Sequence, residues 1–181
     1  MNNLKYSNSV LINLTIVSII PFLIWGPFFP DLIVSISSLL FLSYLFKMNN
    51  FNYFNKKPFI IFLVFCIISS LISLESENIS LSIKSSLFYF RIGVFSCFIW
   101  YLIEKDKNIL IYFYYALVLC FLALVIDGYI QFFTGINLSG FKISGNLVSS
   151  FFGDELIMGS YLSRLFPLLF ALFLLKKKTK I

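Results

Sequence analysis

The sequence has no histidine and few charges of either sign: 14 Lys or Arg and 8 Asp or Glu in 181 residues. Without histidine the chain lacks the side chain that most often serves as a general base near neutral pH and as a metal ligand. Charged residues make up 12% of the chain, about half of the roughly one quarter usual in a soluble domain. Only three cysteines are present, Cys66, Cys97 and Cys120. Each lies inside an apolar run, with no C-x-x-C pair and no metal-ligand spacing. They read as small apolar fillers, and no metal or cofactor is expected. The net charge of +6 does not imply nucleic acid, because that reading needs basic residues gathered on one face of a folded domain. Here the lysines separate apolar runs.

What is present is apolar. Hydrophobic residues form 60% of the chain, and Phe alone occurs 24 times. A water-soluble fold of this size has too little interior to hide that much apolar surface, so lipid is the expected solvent for the remainder. The fold class expected is all-α: a polytopic transmembrane helical bundle of about six spans, with both termini cytosolic. The spans fall at about Val10–Phe29, Leu32–Phe46, Phe59–Leu74, Ser86–Ile103, Ile109–Ile126 and Leu156–Leu175, against the roughly 20 apolar residues that cross a bilayer. Pro21 is expected to kink the first, and Pro58 to open the third, as suits a first helical turn. Lys5 before an apolar run imitates a signal peptide, but Gly26–Pro30 offers no small-x-small cleavage site, so the first span reads as uncleaved.

Charge placement supports this division. With a cytosolic N-terminus, the inner segments hold Lys5, Lys47, Lys56, Lys57, Lys105, Lys107, Lys176, Lys177, Lys178 and Lys180. The outer segments hold only Lys84 and Lys142, as the positive-inside bias requires. The outer segments differ in kind: a Gly-Pro turn at Gly26–Asp31, a short acidic loop at Glu75–Ser85, and a loop over residues 127–155 with Gly at 128, 135, 140, 145 and 153. Glycine at that density marks turns, and long loops without a helix of their own are often functional.

Two arginines fall inside spans. Arg91 and Arg164 are both expected in the outer half of the membrane, at similar depth; a guanidinium costs at least about 2.5 kcal/mol at the centre of a lone helix and less nearer the interface. Arg does not shed its proton, so each needs a partner or a polar hollow. Asp127, Asp154 and Glu155 are the candidate carboxylates. One reading is that both arginines snorkel to the headgroups; the other is that they, with Lys84 and Lys142, form an anion site. Arg grips phosphate oxygens bidentately, and a pyrophosphate at the lipid–water boundary is the natural guest. Asp154 and Glu155 are adjacent and point about 100° apart on a helix, so they do not form the facing pair that acid–base chemistry uses.

The stretch SSFFGDELIMGSYLSRLFPLLFAL (Ser149–Leu172), preceded by IDGYIQFFTGINLSG (Ile126–Gly140) and by the Arg-bearing span FYFRIGVFSCFIWYLIEKDK (Phe88–Lys107), resembles the middle of the bacterial O-antigen ligase and polymerase family. The resemblance implies a multi-pass protein of the bacterial inner membrane. Its implied reaction is metal-independent glycan transfer from an undecaprenyl-diphosphate carrier on the periplasmic face, in lipopolysaccharide or surface-polysaccharide biosynthesis. The implied acceptor is a lipid A core sugar in ligases, or another lipid-linked glycan in polymerases. By resemblance Arg164, and after it Arg91, would contact the diphosphate. Family members carry about twice as many spans, with a large His-bearing loop in the second half. The likeness is therefore to an N-terminal half, and the chain is expected to be part of a transferase rather than a complete one. The alternatives are a non-catalytic membrane subunit that binds or transports an anionic lipid or metabolite, and a small membrane protein whose arginines only snorkel.

Overall fold

A computed structural model describes residues 11–145 and 147–178. Lys5 and Lys180, and Val10 at the start of the first expected span, lie outside the described residues. The described chain is helical apart from its connections, with two isolated β-bridges and no longer strand. Its helices are α1 (Leu11–Trp25), α2 (Phe28–Met48), α3 (Lys57–Ile72), α4 (Ile79–Phe88), α5 (Phe90–Lys105), α6 (Asn108–Thr134) and α7 (Met158–Lys178). Among the described residues, five stretches are long and apolar enough to cross a membrane: Phe28–Met48, Lys57–Glu75, Ile79–Lys105, Asn108–Thr134 and Met158–Lys177. Hydrocarbon offers no partner for a free backbone N–H or C=O, so long apolar segments close their own hydrogen bonds as helix. The all-α, multi-pass membrane architecture is therefore what this composition dictates.

The helices depart from the expected spans in ways with local causes. Within α1 the helix is interrupted at Ser18, one turn before Pro21, whose ring nitrogen carries no hydrogen to return to the Val17 carbonyl. The described part of α1 is shorter than those five stretches. Pro58 sits in the first turn of α3, as expected. The fourth span begins at Ile79 rather than Ser86, capped by the Asn78 side chain accepting from the Leu81 N–H at 3.4 Å, so most of the expected acidic loop is helix. Tyr89 separates α4 from α5 through a tightened turn in which its N–H bonds the Ser86 carbonyl at 3.2 Å. The largest correction concerns residues 127–155. Helix α6 runs through Asp127 and Gly128 to Thr134 for 27 residues, and only from Gly135 does the chain leave it. Gly135 takes a left-handed φ of 81°, open to glycine without strain.

By contacts the chain divides into two compact units: Asp31–Asp106, and the flanking segments up to Pro30 and from Lys107. In the central unit α2 and α5 run parallel with α3 antiparallel between their connections. The core gathers Phe41, Leu45, Phe59, Val94 and Cys97. Gly93 lets α3 approach α5: a Cβ there would stand 2.6 Å from the Phe62 ring. In the flanking unit Ile20, Leu117, Cys120 and Leu172 join α1, α6 and α7. The Tyr161 hydroxyl donates to the Ile20 carbonyl at 3.0 Å.

Candidate functional site

Arg91 is ion-paired, and its partner is not one of the three carboxylates expected from sequence. Asp31, in the first turn of α2, accepts from Nη1 at 2.9 Å and from Nη2. Ser35, one turn further on, accepts from Nη1 at 2.7 Å. Ser38, the next polar residue on that stripe, donates to the Arg91 carbonyl at 3.0 Å. The guanidinium also lies over the Phe88 ring, 5.0 Å from its centre. Asp31, Ser35 and Ser38 share one face because residues three and four apart on a helix are neighbours. That polar stripe in an apolar run was the sequence signal for the pairing. The turn expected over Gly26–Asp31 ends earlier, and Asp31 lies in the first turn of α2, which puts it on the face of Ser35 and Ser38.

Arg164 differs. It lies six residues past Met158, about 9 Å into α7 at 1.5 Å per residue. Its side chain is exposed, and it has no hydrogen bond or ion pair among the described residues. Pro167 follows within the same turn and has no N–H to give to the Ser163 carbonyl. Asp154 and Glu155, in the connection before α7, are exposed and make no ion pair among the described residues. Lys84 on α4 and Lys142 in the connection after α6 are exposed as well. Arg91 and Lys84 belong to the central unit; Arg164, Lys142, Asp127, Asp154 and Glu155 belong to the flanking unit.

Asp127 is not a partner of Arg164. It is fully buried and fully engaged with its own connection. Its carboxylate accepts from the Leu138 N–H at 2.9 Å, the Ser150 hydroxyl at 2.7 Å and the Asn137 amide at 3.3 Å. Gln131, one turn along and equally buried, accepts the N–H groups of Ser149 and Ser150 at 3.0 and 2.7 Å. Its own amide donates to the Phe141 carbonyl and the Ser149 hydroxyl, both at 3.3 Å. Asn137 closes the inner turn by accepting from the N–H groups of Ser139 and Phe141. The Gly-rich segment is thus a built structure docked on α6. Gly135, Gly140, Gly145 and Gly153 all take positive φ, whereas Gly128 is helical. A Cβ on Gly128 would stand 2.8 Å from the Met158 methyl. Sequence reading named Asp127 as a charge partner and missed Gln131, Asn137, Ser149 and Ser150. Their role depends on a chain reversal that no periodicity announces.

At the opposite end of the central unit, Glu104 accepts from the Tyr53 hydroxyl at 2.8 Å and from the Trp100 indole N–H at 2.7 Å. Burial, and then the Glu104 carboxylate, push the Tyr53 phenol up to about 12. It therefore remains a donor at neutral pH. Lys56 lies over the Trp100 ring at 5.7 Å. Amphipathic rings with lysines at a helix end are the usual furniture of a membrane–water boundary. No group of metal-ligating side chains occurs among the described residues. No family model, curated protein or solved structure matches this chain.

Proposed function

We propose that this chain is the carrier-binding part of an O-antigen ligase/polymerase-like glycosyltransferase of the bacterial inner membrane. It would hold undecaprenyl-diphosphate-linked glycan at the periplasmic face during lipopolysaccharide or surface-polysaccharide biosynthesis. The observation that carries the reading is Arg164: a permanent cation, exposed about 9 Å into an apolar helix, with no acceptor among the described residues. A guanidinium so placed is favourable when an anion comes to it, and its planar fork suits phosphate oxygens. Exposed Lys142 adds positive charge on the connection that leads toward α7.

In the transfer itself an acceptor oxygen forms the new bond to the anomeric carbon. The bond from that carbon to the carrier diphosphate breaks, and the diphosphate leaves with the electron pair. A guanidinium on the leaving diphosphate stabilises the charge that grows there. The acceptor proton needs a base, and the sequence has no imidazole. The part assigned to this chain is therefore holding the carrier, with residues outside it activating the acceptor.

One observation favours the second reading, a non-catalytic binding or transport subunit for an anionic lipid or metabolite. Asp127, the one buried carboxylate among the described residues, is fully engaged by the Gly-rich segment, which leaves no buried acid for chemistry. The two readings separate on product. In the host, Arg164→Leu at normal protein level is expected to accumulate carrier-linked glycan and to lose surface polysaccharide, with Arg164→Lys intermediate. Unchanged polysaccharide in Arg164→Leu defeats the transferase reading.

A further inference from the structure

Arg91 stands in the wall of a groove of about 350 Å³ in the central unit, with Ser35, Ser38, Leu39, Leu42 and Leu87 among its lining, and Asp31 borders it through its ion pair with Arg91. Beyond Ser35 the groove is apolar apart from Ser38, whose hydroxyl is held by the Arg91 carbonyl. Leu39 and Leu42 lie eight and eleven residues beyond Asp31, about 12 and 16 Å deeper along α2. Leu39, Leu87 and Phe88 are all exposed. The site thus has a polar end in the first turn of a spanning helix and an apolar length running toward the hydrocarbon. That is the shape of an amphiphile.

The polar end carries both signs of charge. Asp31 is 55% exposed in its side chain, twice as open as Arg91 at 26%, so a carboxylate is on offer to a further cation. On the guanidinium, both N–H groups of Nη1 and one of Nη2 are taken by Asp31 and Ser35. The lateral edge, made by Nε and the remaining Nη2 hydrogen, has no acceptor, and Nε is closed off from water. An unmet buried donor is costly, and the lateral edge is one of the two that grip a phosphate bidentately. The exposed Phe88 ring lies against the guanidinium, and an acceptor reaches Nε only when a neighbouring side chain gives way.

We propose that this groove seats a zwitterionic phospholipid with a phosphoethanolamine head, the phosphate on the lateral edge of Arg91, the ammonium on Asp31 and one acyl chain along Leu39 and Leu42. Charge complementarity selects this occupant. A purely anionic head leaves Asp31 facing negative charge, and a quaternary ammonium has no N–H to give the carboxylate. Like charge placed against like is the usual device by which a site rejects the wrong partner. The inference concerns Arg91 and the central unit. It does not rest on the assignment of Arg164 and survives the failure of that assignment.

The experiment uses the full chain in nanodiscs of equal dioleoyl phosphatidylethanolamine, phosphatidylcholine and phosphatidylglycerol, released and weighed by native mass spectrometry. The wild type is expected to retain phosphatidylethanolamine at least about fivefold over either other lipid, a preference of roughly 1 kcal/mol. Asp31→Asn keeps the size of the side chain and removes its charge; the preference is expected to fall to near unity. Leu87→Trp fills the groove from an exposed position without touching the pair, and is expected to reduce retention of all three lipids. Preference for phosphatidylglycerol, an undiminished preference in Asp31→Asn, or equal retention by Leu87→Trp and wild type would each overturn the proposal.

Discussion

Gln131 accepts the backbone N–H groups of both Ser149 and Ser150, while Asp127, one turn before it on α6, accepts the Ser150 hydroxyl. Two side chains of one helix thereby hold a segment some twenty residues further along the chain.

Gln131→Leu keeps comparable bulk but strands the Ser149 and Ser150 N–H groups in a buried place; the Phe141 carbonyl keeps the Asn137 N–H. Each unmet group costs about 1–3 kcal/mol, so a marked fall in detergent melting temperature is expected. Protease cleavage within residues 135–157 is expected to quicken. An unchanged melting temperature and cleavage pattern would show that the segment does not depend on Gln131.

Asp127→Asn tests whether the carboxylate serves the fold or a ligand. Its neighbours are all donors, and an amide presents one acceptor oxygen where the carboxylate presents two. The variant is expected to lose stability by roughly 1–3 kcal/mol and to expose the same segment to protease. A variant of wild-type stability that fails only in glycan transfer would move Asp127 into the carrier site.

Gly93→Ala puts a methyl 2.6 Å from the Phe62 ring. Overpacking of this kind costs about 1–3 kcal/mol. Adding Phe62→Leu removes the clash, so the double variant is expected to recover part of the loss, with a coupling measurable in a mutant cycle. Strict additivity of the two changes would mean that α3 and α5 separate freely at this point.

Tyr53 supplies a pH dependence. Its phenol ionises near 10 when unfolded and about 12 in place, raised first by burial and then by Glu104. A raised acid binds its proton more tightly when folded, so the stability it contributes is complete below pH 10 and is lost as pH rises through 12. Tyr53→Phe is expected to flatten the alkaline decline of the melting temperature between those values. An identical decline in variant and wild type would remove Tyr53 from the cause.

The boundaries of the helices show how far sequence reading reaches. The run before Phe46 and the run after Pro58 were legible as helices because hydrocarbon forces backbone closure on any long apolar segment. Asp127 and Gly128 look like a turn in the sequence, so the fifth span is expected to end at Ile126, yet α6 continues to Thr134. They belong to the helix because the carboxylate finds three donors and the glycine gives space to Met158.

Composition alone determined that lipid would be the solvent and that helix would be the answer, since apolar area and a shortage of charge leave no other way to satisfy the backbone. Which polar groups meet was decided only in three dimensions. Arg91 pairs with Asp31 across sixty residues, and Asp127 is consumed by the chain that follows it. Those choices depend on the rotation and register of one helix against another, and on the path of a reversing chain. Hydrophobic runs do not record these, because a lipid-facing helix is apolar all the way round.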